Sequence, residues 1–359
     1  MALIINMVYA KAVGLTQGIM AREVGGDIWI SSIFSTVQGC LMIYLTVLII
    51  KRRPKLDVME QSDVMLGKWV GKAVALILFV FFTCAYATIM ITFVYHIMDY
   101  FLPEIPVILF ILVAFLIAGY GIFFGIEVIG RMSLVGVFSI LALNILIIIG
   151  SIHNVDMQEL LPVFESGFVS TLWASRHNNT DWAMATLMTA MILPYVKNQQ
   201  KWSNTSLTGL LIGGLFILIW PILETTVLSA EVTAQYIVSC MQLARSAHIG
   251  LFLHRYEMIM VAFFAVSIFI QTSMCLFCAC ISASKVIGIK DYRPMIIPVG
   301  IIINGFGYWV VLNHIRAMDF LENYWYLIAN PIAIGLPLLM FILGIFFKKK
   351  LQTKKANQS

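Results

Sequence analysis

The stretch Asn6-Met-Val-Tyr-Ala-Lys-Ala-Val-Gly-Leu15 places a lysine in the middle of a run that otherwise suits a membrane interior. The whole chain has this character, since 61% of its 359 residues are hydrophobic and only 11% are charged. Its mean hydropathy is +0.94, far above the range of soluble proteins. The sequence therefore predicts an all-α integral membrane protein, in which Lys11 needs a physical explanation.

Apolar stretches recur along the chain at the length of a membrane-spanning helix, about 20 residues for a hydrocarbon core about 30 Å thick. The first stretch lacks the pattern of a cleaved secretory signal, so we expect it to remain as a helix. Ten transmembrane helices are predicted, near residues 1–20, 28–50, 73–98, 105–124, 132–150, 181–196, 205–229, 257–284, 295–312 and 323–347.

The basic residues indicate the orientation, because Lys and Arg are retained on the cytoplasmic side. Of the 23 Lys and Arg residues, 17 fall in the even-numbered connections and the tail, five fall in the odd-numbered connections, and Lys11 is the remaining one. Both termini are therefore expected to be cytoplasmic. The net charge of +5 is explained by this bias and by anionic membrane lipid, so it gives no reason to expect a nucleic-acid partner.

Motifs for catalysis or for metal binding are weak in this sequence. Cys275, Cys278 and Cys280 form a C-x-x-C-x-C string within an apolar helix, where free cysteine usually packs as a small hydrophobe. The histidines lack ligand spacing, and neither a phosphate-binding loop nor a nucleophile elbow is present. The sequence therefore predicts no enzyme, no catalytic residue, no metal site and no cofactor.

The chain reads as one membrane domain, residues 1–347, followed by a basic cytoplasmic tail, 348–359. Ten helices divide into two fives, and an odd number of helices per half requires the halves, about 1–150 and 181–347, to be inverted. In such folds the first helix of each half is typically broken near mid-membrane. Those helices are 1–20, with Lys11 and Gly14, and 181–196. The outward connections 151–180 and 230–256 are either lids or structured loops.

Polar side chains on three helices predict a ligand site at the centre of the bundle, because such groups face one another or a wet cavity. The alternative is that each hydroxyl only bonds a backbone carbonyl of its own helix. The candidates are Thr83 and Tyr86 on the third helix, Thr186 and Thr189 on the sixth, and Gln271, Thr272 and Ser273 on the eighth.

Three charged residues are expected at the outward ends of helices. Arg255 and Glu257 stand at the start of the eighth helix, and Asp181 stands at the predicted start of the sixth. A carboxylate near a helix N-terminus is stabilised by the helix dipole, which favours a structural role. The functional alternative is a gate latch that links the outer segment to the bundle.

Lys11 is expected near the middle of the membrane, because a helix rises about 15 Å over the ten residues after Met1. It either snorkels to the membrane surface or projects into a central cavity where the helix opens, around Ala10 to Gly14. In the cavity it would attract the carboxylate of an amino-acid ligand. Alternatively, it would replace the bound cation of a coupled transporter as a fixed positive charge.

Four further stretches occur in order along the chain: Gly25-Gly-Asp-Ile-Trp-Ile30, Leu66-Gly-Lys-Trp-Val-Gly71, Leu160-Leu-Pro-Val-Phe-Glu-Ser-Gly167 and Gly250-Leu-Phe-Leu-His-Arg-Tyr-Glu257. Together they resemble the B subunits of the Ger-type nutrient germinant receptors, a spore permease family related to the amino acid, polyamine and organocation transporters. The chain differs from the family pattern within two helices. Ala10-Lys11-Ala12 occupies the glycine-containing break of the first helix, and Thr186-Leu-Met188 replaces a Gly and Glu pair of the sixth.

The resemblance implies a LeuT-like fold of two inverted five-helix repeats in the spore inner membrane, beside A and C subunits. It also implies a role in binding a small nutrient, often an amino acid, and in triggering spore germination. A proton- or cation-coupled amino-acid transporter of the same superfamily is the alternative function. Fold alone does not separate the two.

Overall fold

The computed structural model describes residues 1–249, 253–254 and 256–346. Seven helical stretches of these residues are long and apolar enough to cross a membrane, and the first, Ala2–Lys51, contains two crossings. Val107–Phe123 is a shorter apolar crossing, and Phe168–Ile192 is a long polar one. Within the described residues the prediction of ten membrane helices is therefore confirmed.

The α-helices of the described residues are numbered in chain order, and short ones lie between the membrane crossings. They are α1 (Ala2–Lys11), α2 (Gln17–Val24), α3 (Ile28–Lys51), α4 (Val58–Leu66), α5 (Lys68–Met98), α6 (Val107–Phe123), α7 (Ile126–Ser151), α8 (Phe168–Ile192), α9 (Trp202–Leu223), α10 (Ala230–Gln235), α11 (Ser239–Ser246), α12 (Glu257–Ile287), α13 (Ile296–Val311), α14 (His314–Asp319) and α15 (Trp325–Phe346). A two-residue antiparallel ladder pairs β1 (His248–Ile249) with β2 (Leu253–His254).

The first membrane crossing consists of α1 and α2, joined by a π-helical turn over Ala12–Thr16. The prediction that this helix opens around Ala10 to Gly14 was wrong, because the chain contains a π-helical turn there and not a break in the helix. The backbone stays helical but winds more widely, and the irregular turn starts two residues later than expected. π-Turns of this kind are rare and occur frequently at functional sites. A second π-turn, Glu224–Leu228, extends α9.

The sixth crossing, α8, begins at Phe168, well before the predicted start at residue 181. The prediction failed because the outer half of this helix carries a polar run, residues 175–181, that resembles a loop in hydropathy. The structure buries residues 177–193 completely within the bundle, where α8 packs against α3, α15 and α1. Asp181 is therefore a mid-helix residue, and its predicted position at the helix N-terminus was wrong.

The centre of the bundle is formed around the first crossing. Residues 4–21 are all buried, and α1 packs against α7, α8, α9 and α12. Large apolar side chains on α6, α7, α13 and α15 are exposed instead, as lipid contact requires; Leu116, Phe138, Ile301 and Leu339 are examples. Any site built on α1 consequently lies in the protein interior.

The predicted cytoplasmic face carries a short helix, α4, whose start is fixed by its sequence. The Asp57 carboxylate accepts a hydrogen bond from the Glu60 backbone N–H at 2.8 Å, and the Glu60 carboxylate accepts one from the Asp57 N–H at 3.2 Å, which is a capping box. Gly67, with φ of +99°, ends the helix. Burial raises the pKa of Asp57 to about 6, although the hydrogen bond from the Glu60 backbone opposes the rise.

Candidate functional site

Lys11 and Asp181 form a buried ion pair at the centre of the bundle. Lys11 Nζ lies 3.3 Å from Asp181 Oδ1 and 3.4 Å from Oδ2. The ammonium also donates to Thr180 Oγ1 at 2.7 Å and to Thr16 Oγ1 at 3.2 Å. Lys11 is 3% exposed and Asp181 is not exposed at all. Lys11 therefore does not snorkel to the membrane surface; it is solvated by protein oxygens.

The π-turn positions two members of this group. Lys11 is the residue before the turn and Thr16 is its last residue, and the wider winding brings residues five apart onto one side of the helix. The Thr16 hydroxyl thus reaches both the Lys11 ammonium and the Asp181 carboxylate, at 3.2 and 3.3 Å. On α8, Thr180 and Asp181 are adjacent. The pair joins the first helix of one predicted half to the first helix of the other.

The remaining polar residues of α8 bond to α3. Asn178 Nδ2 donates to Ser32 Oγ at 3.0 Å, and Asn179 donates to the Gln38 side chain. The Gln38 amide in turn donates to Ser175 Oγ at 3.2 Å. These bonds compensate for the burial of amide groups. The polar residues of α8 therefore form hydrogen bonds to α3 on one side of the helix and an ion pair with α1 on the other.

Ion pairs also tie the outer half of the first crossing to its neighbours. Glu23 on α2 accepts two hydrogen bonds from the Arg176 guanidinium, at 2.7 and 2.5 Å, and lies 2.9 Å from His177 Nε2. The Arg176 guanidinium stacks 4.9 Å from the centre of Trp173 and 4.7 Å from that of Tyr326. This cluster lies on the outer side of the Lys11–Asp181 pair.

Gly14 lies in the π-turn at a point of close approach to α5. A Cβ atom at this position would lie 2.6 Å from Thr92 Cγ2 and 2.7 Å from His96 Cε1. The face of α5 toward the turn is thus formed by Thr92 and His96, neither of which is among the residues predicted from the sequence. Their i, i+4 spacing on the third membrane helix was the available signal.

The other predicted ligand residues make different contacts. The Tyr86 hydroxyl donates to Asn304 Oδ1 on α13 at 2.7 Å, and Gln271 Nε2 donates to the backbone carbonyls of Asn6 and Met7, both at 2.9 Å. The Thr186 hydroxyl is buried and has no partner among the described residues. Four hydroxyls bond the carbonyl four residues earlier in their own helix, those of Thr83, Thr189, Thr272 and Ser273.

The predicted latch residues are only partly described. Arg255 lies outside the described residues. Glu257 is the first residue of α12 and is 2% exposed, and its Oε1 lies 3.7 Å from Arg245 Nε on α11. The position at a helix N-terminus agrees with the structural reading, and the role of Glu257 stays a prediction.

Two cavities lie near the ends of the bundle. One, of about 600 Å³, is on the predicted cytoplasmic side and includes Asp63, Lys68 and Lys285 in its lining. The other, of about 700 Å³, is on the predicted outer side and includes Arg22 and Glu231. The Lys11–Asp181 pair is in the protein interior between these two faces.

Comparison with known families decides the affiliation of the chain. The Spore_permease family, described as "Spore germination protein", matches residues 1–307. The chain belongs to this spore germination family. Two similar relatives from Bacillus subtilis (strain 168) are "Spore germination protein KB", 22% identical over 96% of this chain and 93% of the relative, and "Putative spore germination protein YfkT", 24% identical over 95% and 94%. The resemblance predicted from the four sequence stretches is confirmed.

Solved transporters share the fold of this spore permease family member. One is Mhp1, a nucleobase-cation-symport-1 family transporter in a closed conformation with bromovinylhydantoin bound, with a TM-score of 0.63 at 11% identity over 93% of this chain and 76% of that one. Another is a Na⁺-coupled sialic acid symporter, with a TM-score of 0.62 at 13% identity over 94% and 78%. The predicted transporter-type, multi-pass membrane fold is confirmed.

Proposed function

We propose that this chain is the integral membrane subunit of a nutrient germinant receptor in the spore inner membrane, acting beside A and C subunits. It binds a small nutrient, with an amino acid as the favoured class, and the bound nutrient triggers germination. The family affiliation supports the process. The observation that carries the ligand class is the buried Lys11–Asp181 pair.

An amino acid matches this pair because it carries one charge of each sign. Its carboxylate suits the Lys11 ammonium, and its ammonium suits the Asp181 carboxylate. When the ligand binds, the Lys11–Asp181 ion pair is replaced by two ion pairs, one between Lys11 and the ligand and one between Asp181 and the ligand. The buried site stays neutral, which avoids the free-energy cost of an isolated charge in a medium of low dielectric. The hydroxyls of Thr16 and Thr180 already point at the pair and remain as hydrogen-bonding partners for the ligand.

Ligand entry between Lys11 and Asp181 would also produce a signal. The two charges belong to α1 and α8, so a molecule inserted between them separates the two helices. The π-turn after Lys11 gives α2 a place to move relative to α1, because its hydrogen bonds are already irregular. Nutrient binding is thereby converted into a rearrangement that neighbouring subunits detect.

The second candidate function is a proton- or cation-coupled amino-acid transporter, which the similarity to coupled transporters favours. In that case the Lys11 ammonium, surrounded by oxygens of Thr16, Thr180 and Asp181, takes the place of a coupling cation. Both functions predict nutrient binding. Only the transporter moves the nutrient across a sealed membrane.

The test combines ligand titration of the purified protein with uptake of labelled amino acids into vesicles and with germination of spores. We expect saturable binding of at least one amino acid, loss of that binding in Lys11→Met, and no net uptake. Lys68→Met, which changes an exposed lysine on the cytoplasmic side, is the matched control and should bind normally. Unchanged binding and germination with Lys11→Met would reject the proposed site, and uptake driven by an ion gradient would establish the transporter.

A further inference from the structure

Glu224 is a buried carboxyl group at the outer end of α9, in the π-turn Glu224–Leu228. Its side chain is completely buried. Ser239 on α11 donates a hydrogen bond to Oε2 at 2.9 Å, whereas Oε1 has no hydrogen-bond partner among the described residues. This group takes no part in the Lys11–Asp181 site, so its burial needs a separate explanation.

The elements packed against this turn supply no cation to Glu224. Their titratable groups are Cys240 and Arg245 on α11, Glu231 on α10 and Glu159 in the turn Met157–Leu160. Asp156, whose backbone N–H donates to the Thr226 carbonyl at 2.8 Å, is a further acid beside the turn. Arg245 is the one basic residue of α10 and α11, and it stands near the far end of α11, 3.7 Å from Glu257. Within the described residues, no Lys or Arg forms an ion pair with Glu224. An unpaired buried carboxylate is costly, which favours the neutral, protonated form of this side chain.

The residue after Ser239 contacts the π-turn of the first crossing. Cys240 Sγ lies 3.4 Å from His96 Nε2 and 3.8 Å from the Gly14 carbonyl oxygen. His96 Nδ1 is 2.6 Å from the Thr92 carbonyl, which only accepts, so Nδ1 carries the hydrogen and Nε2 accepts from the thiol. Adjacent residues at the start of α11 thus join the turn containing Glu224 to the turn containing Gly14.

We propose that Glu224 is a proton-binding site that stays dry while the proton is bound and takes up water when the proton leaves. On deprotonation, the O–H bond of the carboxylic acid breaks and the proton passes to water from the outer cavity, which reaches α10 at Glu231 and Ala234. Ser239 still donates to the carboxylate, but the unpartnered Oε1 draws water into the site. Hydration loosens the contact between α11 and the π-turn at residues 12–16, and the Cys240 thiol becomes accessible. This inference stands apart from the proposed nutrient site.

Infrared difference spectroscopy of the purified protein tests the protonation state directly. We expect the carbonyl stretch of a protonated carboxylic acid at neutral pH in the unmodified protein, and its loss in Glu224→Gln. Glu231→Gln removes an exposed carboxylate from the neighbouring helix α10 and should leave the band in place. Absence of such a band, or a stabilisation of the unmodified protein by sodium that Glu224→Gln abolishes, would overturn the proposal in favour of an ionised group or a cation site.

Alkylation of Cys240 by a small maleimide, quantified by mass spectrometry of its peptide, tests the movement. The rate should rise with pH several-fold more in the unmodified protein and in Glu231→Gln than in Glu224→Gln, whose amide cannot ionise. Burial and the ionised Glu224 carboxylate both raise the pKa of the Cys240 thiol, so the charge on Glu224 by itself slows alkylation. A steeper rise in the unmodified protein than in Glu224→Gln therefore reports exposure of the thiol and not its ionisation. The same pH dependence in all three proteins would refute the coupling between the proton and α11.

Discussion

At the scale of single residues, the free-energy cost of burying a charge within the helix bundle determines how Lys11 and Asp181 behave. A lysine at mid-membrane costs about 2.5–3.5 kcal/mol on insertion scales, and Lys11 recovers part of this through Asp181 and the hydroxyls of Thr16 and Thr180. Loss of one member of a buried pair costs more than loss of both, because one charge remains unpaired. The pair therefore behaves as a unit.

A double-mutant cycle on Lys11 and Asp181 should show this dependence. Lys11→Met leaves Asp181 buried without its cation, and we expect destabilisation of about 3–5 kcal/mol, the usual cost of breaking a buried pair. Adding Asp181→Asn should recover much of that loss, since both groups are then neutral. Thermal unfolding in detergent measures the effect. Independent action would be shown instead if the loss of stability in the double variant equalled the sum of the losses in Lys11→Met and in Asp181→Asn alone.

A substitution at Gly14 tests steric packing and not charge. The Cβ of Gly14→Ala would lie within 2.7 Å of both Thr92 and His96, so the variant must push the π-turn away from α5. Overpacking of this kind costs about 1–3 kcal/mol, and we expect a lowered melting temperature with a weakened nutrient response. Gly305→Ala is the control, because a Cβ there meets no atom within 4 Å. Equal stability of the two variants would contradict the close packing.

At the scale of elements, the sequence predicted most membrane helices because their apolar runs have the right length. It failed for α8, where residues 175–181 look like a loop although all of them except Arg176 are buried, with contacts to α3 and α1. Because of the same error, Asp181 was not predicted to be the partner of Lys11. Asp181 is 170 positions away in sequence, and only tertiary packing brings the two together.

The polar candidates show a related limit of sequence reasoning. On α5, periodicity identified residues that share a helix face, but it did not indicate which face meets the π-turn of the first crossing. Tyr86 therefore proved to contact α13, while Thr92 and His96 meet Gly14. The π-turn itself has no sequence signature that a hydropathy pattern would detect.

The capping box of α4 leads to a prediction about pH. The pKa of Asp57 is about 6 in the folded protein, above its ordinary value of 3.8, mainly because of burial. The folded state thus holds this proton more tightly than the unfolded state, so the associated stability is present below pH 4 and is lost as the pH rises through 6. Asp57→Asn keeps a good N-cap residue and should flatten the melting temperature between pH 4 and 6. An unchanged pH profile in Asp57→Asn would assign that dependence to other groups.

At the scale of the whole molecule, a transporter-type fold carries a fixed lysine in its interior. In this chain an ammonium group neutralises Asp181 from within the protein. A protein with a built-in cation has no electrostatic need for a dissolved one at this place. Under the proposed function, we therefore expect the response to depend on nutrient concentration and not on an ion gradient.

Sodium provides the final test of this idea. The melting temperature and the nutrient affinity of the unmodified protein should be the same in sodium chloride and in choline chloride of equal concentration. Lys11→Ala leaves a space beside a carboxylate and two hydroxyls, oxygen ligands of the kind that hard cations prefer, so sodium should raise the melting temperature of this variant. Adding Asp181→Asn should remove that effect. If sodium instead strengthens nutrient binding by the unmodified protein, then Lys11 does not replace a coupling cation, because a dissolved cation binds in addition to it.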